Sequence, residues 1–301
     1  MPAFSRAIAA AAAAVALSAC LGAAQPAPGF DGQKALDHVR AMVALGPRPA
    51  GSPALAKTRD YIRKELSALG LKVEDQAFDA STPIGTLKMV NLRATIGDAA
   101  AKRIIVAGHY DTKLFKDVKF VGANDGGSSA AFLIELARVL TRAPIATPVE
   151  LLFLDGEEAV RTEWIDPDNR YGSRHYVEAA TKAGTLGKIG AVILVDMIGD
   201  RDLRIKRESQ STGWLTDIIW STAASMRRPQ FVDEATPIED DHIPFLEAGV
   251  PAVDLIDMDY DAWHTPADTL DKLSAGSLQT VGDVVLAALP AIEKRVTGQP
   301  R

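Results

Sequence analysis

Residues 149–158 read Val-Glu-Leu-Leu-Phe-Leu-Asp-Gly-Glu-Glu, an apolar run of strand length that ends in two adjacent acids. Neighbouring side chains diverge, so Glu157 and Glu158 cannot stabilise each other, and a charge beside an apolar core is costly without a partner. A zinc site would give each acid a task, because one could bind the metal while the other moves a proton. A solvated loop that holds two acids is the alternative for this pair considered alone.

Three more apolar runs of similar length occupy residues 104–107, 191–195 and 251–256. Patterns typical of helices alternate with these runs, over about 127–142, 172–183, 213–226, 241–248 and 276–295. Two amphipathic helical patterns and two extended segments precede them, after Asp31, around Tyr61, and near 71–79 and 88–96. Apolar strands separated by helices predict one α/β domain, with a central mixed, largely parallel sheet that helices flank on both faces.

Composition bounds the size and the partners of this domain. The chain has 301 residues, of which 47% are hydrophobic, enough for a large core in a single domain over residues 31–298. Acidic residues outnumber basic ones, 39 to 33, and no basic run occurs, which argues against nucleic acid as a partner. We expect a monomer.

The N-terminus has the pattern of an export signal. Arg6 precedes an alanine-rich run over residues 7–19, which is too short for a typical membrane span. The run ends in Leu-Ser-Ala-Cys at residues 17–20, which resembles a bacterial lipobox, where the cysteine becomes the acylated first residue. An ordinary signal peptide, cleaved a few residues further on, is the alternative. Both interpretations predict export.

The lipobox interpretation divides the start of the chain into two parts. Residues 1–20 are then a signal peptide, and residues 21–30, rich in Ala, Pro and Gly, are a flexible tether. Cys20 would anchor a periplasmic lipoprotein, and we expect this anchor to be the only contact with a membrane. Cys20 is also the only cysteine, which excludes an intrachain disulfide and a cysteine-based metal site.

The polar residues that follow the apolar runs are candidate metal ligands. In open parallel sheets the ligand site lies beyond the carboxyl ends of the strands, so residues that follow different strands meet there. The residues in question are His109, Asp125, Glu157, Glu158, Asp196 and His264. Histidine with Asp and Glu, and without Cys, suits zinc. Taken singly, Asp125 could be a helix N-cap, Asp196 a turn residue and His264 a loop histidine.

The order His-x-Asp, Asp, Glu-Glu, Asp, His resembles the zinc-dependent aminopeptidases of the co-catalytic type. More narrowly, the chain resembles their relatives the glutaminyl-peptide cyclotransferases, over about residues 35–296. The narrower resemblance rests on five blocks: His-Tyr-Asp-Thr-Lys at 109–113, Asp-Gly-Glu-Glu-Ala at 155–159 followed by Trp164, Tyr-Gly-Ser-Arg-His at 171–175, Asp-Asp-His-Ile-Pro-Phe-Leu at 240–246 followed by Gly-Val-Pro at 249–251, and Trp-His-Thr at 263–265.

The resemblance implies a role for each matching position. Asp125, Glu158 and His264 would hold one zinc ion. Glu157 would be the general acid and base, and Asp196 and Asp240 a hydrogen-bonded acidic pair beside it. The substrate pocket would be formed by Trp164, Trp263, Lys113 and Glu239. In a two-metal aminopeptidase, His109 and Asp196 would hold a second zinc.

The resemblance also implies the reaction. A cyclotransferase converts the N-terminal glutamine of a peptide to pyroglutamate and releases ammonia, whereas the alternative, a dizinc aminopeptidase, hydrolyses N-terminal residues from peptides. Both act on peptides with a free N-terminus. Two departures from the animal cyclotransferases concern the pocket: Trp164 lies one residue further from Glu158, and Glu239 replaces a frequent glutamine.

Overall fold

The computed structural model describes residues 29–298. Its helices are α1 (Gly32–Val43), α2 (Pro53–Ala68), α3 (Gly127–Leu140), α4 (Tyr171–Lys182), α5 (Gly213–Ser225), α6 (Ile243–Glu247) and α7 (Ala275–Thr297). Its strands are β1 (Val73–Thr82), β2 (Gly85–Ile96), β3 (Arg103–His109), β4 (Val149–Leu154), β5 (Ile189–Asp196), β6 (Ile205–Glu208), β7 (Phe231–Thr236) and β8 (Ala252–Ile256). The predicted signal peptide, Cys20 and most of the tether lie outside the described residues.

A six-stranded sheet forms the centre of the domain, in the order β1-β2-β4-β3-β5-β8. The strands β4, β3, β5 and β8 run parallel, while β2 and β1 are added antiparallel at one edge. The predicted mixed, largely parallel sheet is therefore confirmed. A second sheet pairs β6 with β7 and was not predicted, because these short segments are rich in charged residues and lack an apolar run.

Successive side chains of the parallel strands point to opposite faces of the sheet. Leu151 and Ile193 belong to a large core that α1, α3 and α7 cover on one face. Leu152 belongs to a smaller core on the other face, together with Tyr176 from α4 and Phe245 from α6. Because both faces are dry, the strands read as continuous apolar runs in the sequence.

The folded domain begins before the predicted boundary at Asp31. Phe30 is only 4% exposed, and its ring centroid lies 5.0 Å from that of Phe132 in α3. The carbonyl of Gly29 accepts a hydrogen bond of 2.8 Å from Arg138. The predicted tether over residues 21–30 is therefore too long by at least these two residues, because a buried aromatic ring ties the chain to the core.

Among the described residues, 29–298, one helix is long and apolar enough by composition to cross a membrane, and this helix is α7. It contacts α1, α5, α3 and β5, and most of its apolar side chains are buried in the large core. These contacts explain its composition, since a helix surrounded by other elements is apolar on most of its faces. It is a core helix of this domain.

Gly282 lies in α7 beneath the ring of Phe30, and a Cβ atom there would lie 2.2 Å from Phe30 Cγ. We expect Gly282→Ala to lower the free energy of unfolding by about 1–3 kcal/mol, because over-packing outweighs the gain in helix propensity. Urea unfolding followed by circular dichroism measures the change. Gly213→Ala, at the start of α5, is the control, since its Cβ would meet no atom within 4 Å. Equal stability of the two variants would contradict the packing of Phe30 described above.

Candidate active site

The carboxyl ends of the parallel strands lead into one cavity of about 380 Å³. β3 ends at His109 and β5 at Asp196, and the remaining residues come from the loops between β3 and α3, after β4, between β7 and α6, and after β8. The residues named from the sequence that line this cavity are Lys113, Asp125, Glu157, Glu158, Trp164, Asp196, Glu239, Asp240, Trp263 and His264. His109 is buried beside them, against Asp125 and Asp196.

Three of these side chains form a compact set of possible zinc ligands. His264 Nε2 lies 3.3 Å from Asp125 Oδ2 and 3.2 Å from Glu158 Oε1. Bonds of about 2.0–2.1 Å to a tetrahedral zinc separate the ligand atoms by about 3.3 Å, so the spacing suits that ion. Asp125 Oδ2 is buried and has no hydrogen-bond partner in the described part of the chain, as expected of an atom that binds a cation. The residues present therefore fit zinc.

The electrostatics of this set point the same way. Burial raises the pKa of Glu158 to about 7, and the charge of Asp125 adds to the effect. Burial alone would lower the pKa of His264, but its contacts with Asp125 and Glu158 outweigh burial and raise it to about 10. The set thus holds a surplus of negative charge in a buried place, which a divalent cation would offset.

His264 is held in an unusual conformation. Its φ is 53°, in the left-handed region that costs residues with a side chain about 1–2 kcal/mol. The rings of Phe115 and Phe120 pack nearly perpendicular to its imidazole, and Trp263 stacks on it with centroids 4.2 Å apart. The aromatic contacts fix the direction in which Nε2 points.

A second group of possible ligands shares Asp125. His109 Nε2 lies 3.1 Å from Asp196 Oδ1 and 3.3 Å from Asp125 Oδ1. Asp125 therefore offers one oxygen to each histidine, the position of a ligand that bridges two metals. In the structure itself His109 and Asp196 are hydrogen-bonded to each other, the arrangement expected for a site with one metal.

Glu157 is buried next to both groups. Its Oε2 lies 3.7 Å from His109 Nδ1. Burial raises its pKa well above the usual range; His109 opposes this rise, and the charges of Glu158, Asp240 and Asp241 add to it. The backbone N–H groups of Glu157 and Glu158 donate to the two carboxylate oxygens of Asp111, at 3.2 and 3.4 Å. Asp111, which had no predicted role beyond the motif, thus fixes the two glutamates.

Asp196 and Asp240 both line the cavity, and the charge of Asp196 acts on Asp240. Asp196 Oδ1 accepts hydrogen bonds from His109 and from the backbone of Met197. Asp240 Oδ2 has no hydrogen-bond partner in the described range. A hydrogen bond between two carboxylates needs an added proton, because both only accept, so the predicted acidic pair stays a prediction. Burial, with the charge of Asp196, raises the pKa of Asp240 to about 6.

The pocket wall is largely apolar. Trp263 is 43% exposed at the mouth, while Trp164 is half-buried. Lys113 is buried, with Nζ 3.8 Å from Glu158 Oε2, and Glu239 is an exposed lining residue. These positions suit the enclosure of a small side chain, with the rest of a ligand leaving through the mouth.

The sequence interpretation missed the residues that support this site from behind. Arg48 and Asp268 are fully buried and bond the loop that carries Asp125. Asp241, quoted only as part of the 240–246 block, accepts a hydrogen bond from Ser173 of the 171–175 block. The only sequence signal for Arg48 and Asp268 is a charged residue in a loop rich in Pro and Gly or Ala. Many solvated surface loops have the same pattern.

Comparisons with known proteins agree with this geometry. The model of peptidase family M28 matches residues 91–289. The chain is 33% identical over 275 residues to the glutaminyl-peptide cyclotransferase-like protein of Mus musculus, covering 80% of this chain and 71% of that protein. It is also 33% identical over 278 residues to the glutaminyl-peptide cyclotransferase of Drosophila melanogaster, covering 82% and 78%.

A solved structure extends the likeness to the fold. The glutaminyl cyclase of an Acidobacteriales bacterium superposes with a TM-score of 0.85 at 38% sequence identity, over 95% of this chain and 100% of that one. Fold, motif order and sequence identity agree over nearly the whole described domain. The chain therefore belongs to peptidase family M28 and, within it, to the glutaminyl-peptide cyclotransferases.

Proposed function

We propose that this protein is a zinc-dependent glutaminyl-peptide cyclotransferase, which converts the N-terminal glutamine of peptides to pyroglutamate and releases ammonia. The observation that carries the proposal is one three-ligand set, Asp125, Glu158 and His264, beside the buried Glu157 in a cavity walled by tryptophans. The relationship to the cyclotransferases supports the choice of glutamine as the substrate side chain.

The reaction requires proton transfer, a folded substrate side chain, exclusion of water and polarisation of the γ-carbonyl. Side chains of this protein meet the first three requirements directly. The α-amine nitrogen of the substrate forms a bond to its own γ-amide carbon, and the bond from that carbon to the amide nitrogen breaks. Glu157 takes the proton that the amine loses and delivers it to the departing nitrogen, which leaves as ammonia. Trp164 and Trp263 fold the glutamine side chain back on itself and exclude water, so that attack within one molecule outruns hydrolysis.

The fourth need is polarisation of the γ-carbonyl, which a zinc ion held by Asp125, Glu158 and His264 supplies as a Lewis acid. His109 stays hydrogen-bonded to Asp196 in this proposal, so one zinc is sufficient. Lys113 and Glu239, at the base and rim of the cavity, are proposed to contact the bound peptide.

The dizinc aminopeptidase is the second candidate. The group of His109, Asp125 and Asp196 favours it, because its ligand atoms are as close together as those of the first group. Such an enzyme would use Glu157 to activate water and would release free amino acids.

The number of metal ions and the products together separate the two candidates. We expect about one zinc per chain by elemental analysis after dialysis, because His109 and Asp196 bond to each other. We expect pyroglutamyl peptide and ammonia from Gln-peptides, and no free amino acid from Leu- or Ala-peptides, by mass spectrometry. His264→Ala should lose the zinc and the activity, whereas His175→Ala, which removes a ring stacked on Phe78, should keep both. Two zincs per chain with release of Leu or Ala would favour the aminopeptidase instead.

Glu157 is expected to be the proton carrier. Glu157→Gln preserves the size of the side chain but cannot carry a proton, so kcat should fall by about 10²–10⁴-fold while bound zinc stays near the wild-type content. Steady-state kinetics and elemental analysis on the same sample measure both. Glu163→Gln, an exposed acid in the following loop, is the matched control and should be close to wild type. Retention of most activity by Glu157→Gln would assign the proton transfer to another carboxylate.

Export and lipid anchoring are part of the proposal and rest on residues 1–20 of the sequence. Cys20→Ala removes the sulfur that would carry the lipid, so we expect the protein to shift from the detergent phase to the aqueous phase on detergent partition. Mass spectrometry of the mature N-terminus gives an independent measurement. If the mature wild-type protein begins downstream of Cys20, the segment is an ordinary cleaved signal peptide and the lipid anchor is wrong.

A further inference from the structure

The segment of residues 121–125, here named the ligand loop, carries Asp125 into the cavity and has no regular secondary structure. Gly122 makes its turn with a φ of 51°, and a Cβ atom there would lie 2.4 Å from the carbonyl oxygen of Asp125. The loop therefore folds tightly on itself. Its position in the site nevertheless depends on side chains outside it.

Arg48 holds the carbonyl side of the ligand loop. Its guanidinium donates to the carbonyl oxygens of Val121 at 2.6 Å and Gly122 at 2.8 Å, and to that of Tyr110 at 3.3 Å. The side chain is fully buried, and its hydrogen bonds within the described chain all go to backbone carbonyls. A buried cation bonded only to backbone carbonyls is unusual, because its desolvation is normally offset by a carboxylate.

Asp268 holds the amide side of the same loop. Its carboxylate accepts from the backbone N–H groups of Asn124 at 2.8 Å and Asp125 at 3.1 Å, and from the hydroxyl of Tyr260 at 2.7 Å. Asp268 is also fully buried. The loop thus lies between a cation that donates to its carbonyl oxygens and an anion that accepts from its N–H groups. Each charge is opposite in sign to the partial charge of the backbone groups that it contacts.

Neither side chain takes part in the site itself. Arg48 and Asp268 do not line the cavity, and neither belongs to a possible ligand group. Both are bonded to the backbone within a few residues of Asp125. The charge of Arg48 acts on the acids at Asp268, Asp111 and Asp125, and although burial lowers its pKa to about 10, it stays a cation at neutral pH.

We infer that Arg48 and Asp268 are positioning residues that hold Asp125 at metal-binding distance from Glu158 and His264 before the ion arrives. Two buried carboxylates repel each other, so a loop held only by its own contacts would relax outward and move Asp125 away. When the loop is fixed from both sides, the free-energy cost of this repulsion is part of folding and does not weaken metal binding. The inference concerns the metal site within the proposed function and is independent of which reaction the site performs.

Zinc affinity, measured by competition with a chromogenic chelator on protein shown to be folded, tests the inference. We expect Arg48→Met and Asp268→Asn to weaken zinc binding by about 10–100-fold, the range seen when groups that support metal ligands are removed. Arg48→Lys keeps the charge with fewer donors and should lie between Arg48→Met and wild type. At saturating zinc, the KM of both variants for a Gln-peptide should be near wild type, because neither residue lines the cavity.

A matched control separates positioning from stability. Arg103 is also a buried arginine, but it pairs with Glu150 at the opposite end of β3. Arg103→Met should lower the melting temperature and leave zinc affinity unchanged. Tyr260→Phe removes a single hydrogen bond to Asp268 and provides a milder variant that keeps the fold if Asp268→Asn does not.

The outcomes are distinct. One folded variant at Arg48, either Met or Lys, is compared with one folded variant that affects Asp268, either Asp268→Asn or Tyr260→Phe. If both bind zinc within twofold of the wild-type affinity, the inference is overturned and the proposed function is not affected. An equal loss of affinity in Arg103→Met would also overturn it, because the effect would then follow from stability. A wild-type protein without zinc binding would overturn the inference and the proposed function together. Weakened zinc binding in an enzyme that releases free amino acids would leave the inference in place and overturn the cyclotransferase.

Discussion

Two buried carboxylates, those of Asp125 and Glu158, lie on either side of one histidine nitrogen, and the rest of the structure keeps them there. Their ligand atoms lie 3.3 and 3.2 Å from His264 Nε2, in surroundings that exclude water from most of each side chain. Like charges in such a place repel strongly, and burial alone favours protonation. A fold that brings them together must therefore hold each one from outside, and a cation between them resolves the conflict.

The sheet provides the first part of that support. Parallel strands bring their carboxyl ends to one edge, and the loops that leave this edge carry acids from positions far apart in the chain. The second part consists of hydrogen bonds to the backbone of those loops. Asp111 binds the N–H groups of Glu157 and Glu158, while Arg48 and Asp268 bind the loop of Asp125. The acids of the site are thus fixed through their main chains, which leaves their side chains free for metal and protons.

The surplus of acid continues behind the cavity. Burial raises the pKa of Asp241 to about 8, with the charge of Asp240 adding to it, and raises the pKa of Asp254 well above its usual range. His242 lies between Glu208 at 3.0 Å and Asp254 at 3.7 Å in this inner cluster. Asp254 accepts no hydrogen bond at either oxygen from the described residues. Protonation would therefore relieve the repulsion in this cluster, as a bound cation would among the possible ligands of the metal site.

The sequence by itself determined the fold class, because the length and apolar character of the runs at 104–107, 149–154, 191–195 and 251–256 leave a doubly covered parallel sheet as the solution. It also indicated most of the residues that meet in the cavity, since they follow the end of one of those strands or lie in the Gly-rich segment between two of them; Glu239 and Asp240, from the loop between β7 and α6, came only from the family resemblance. Family resemblance then assigned their roles. These features are readable because they depend on local pattern and on a general rule of strand ends.

Only the tertiary structure decided the contacts between distant loops. Asp268 meets the backbone of Asp125 across 143 residues, and Arg48 meets Gly122 across 74, and no local pattern marks either pair. The burial of Phe30 moved the start of the domain, and Asp196 proved to bond to His109 across 87 residues. Such contacts are set by the distances between packed elements. The sequence names the residues of the site, and their partners follow only from how the helices and loops pack around the sheet.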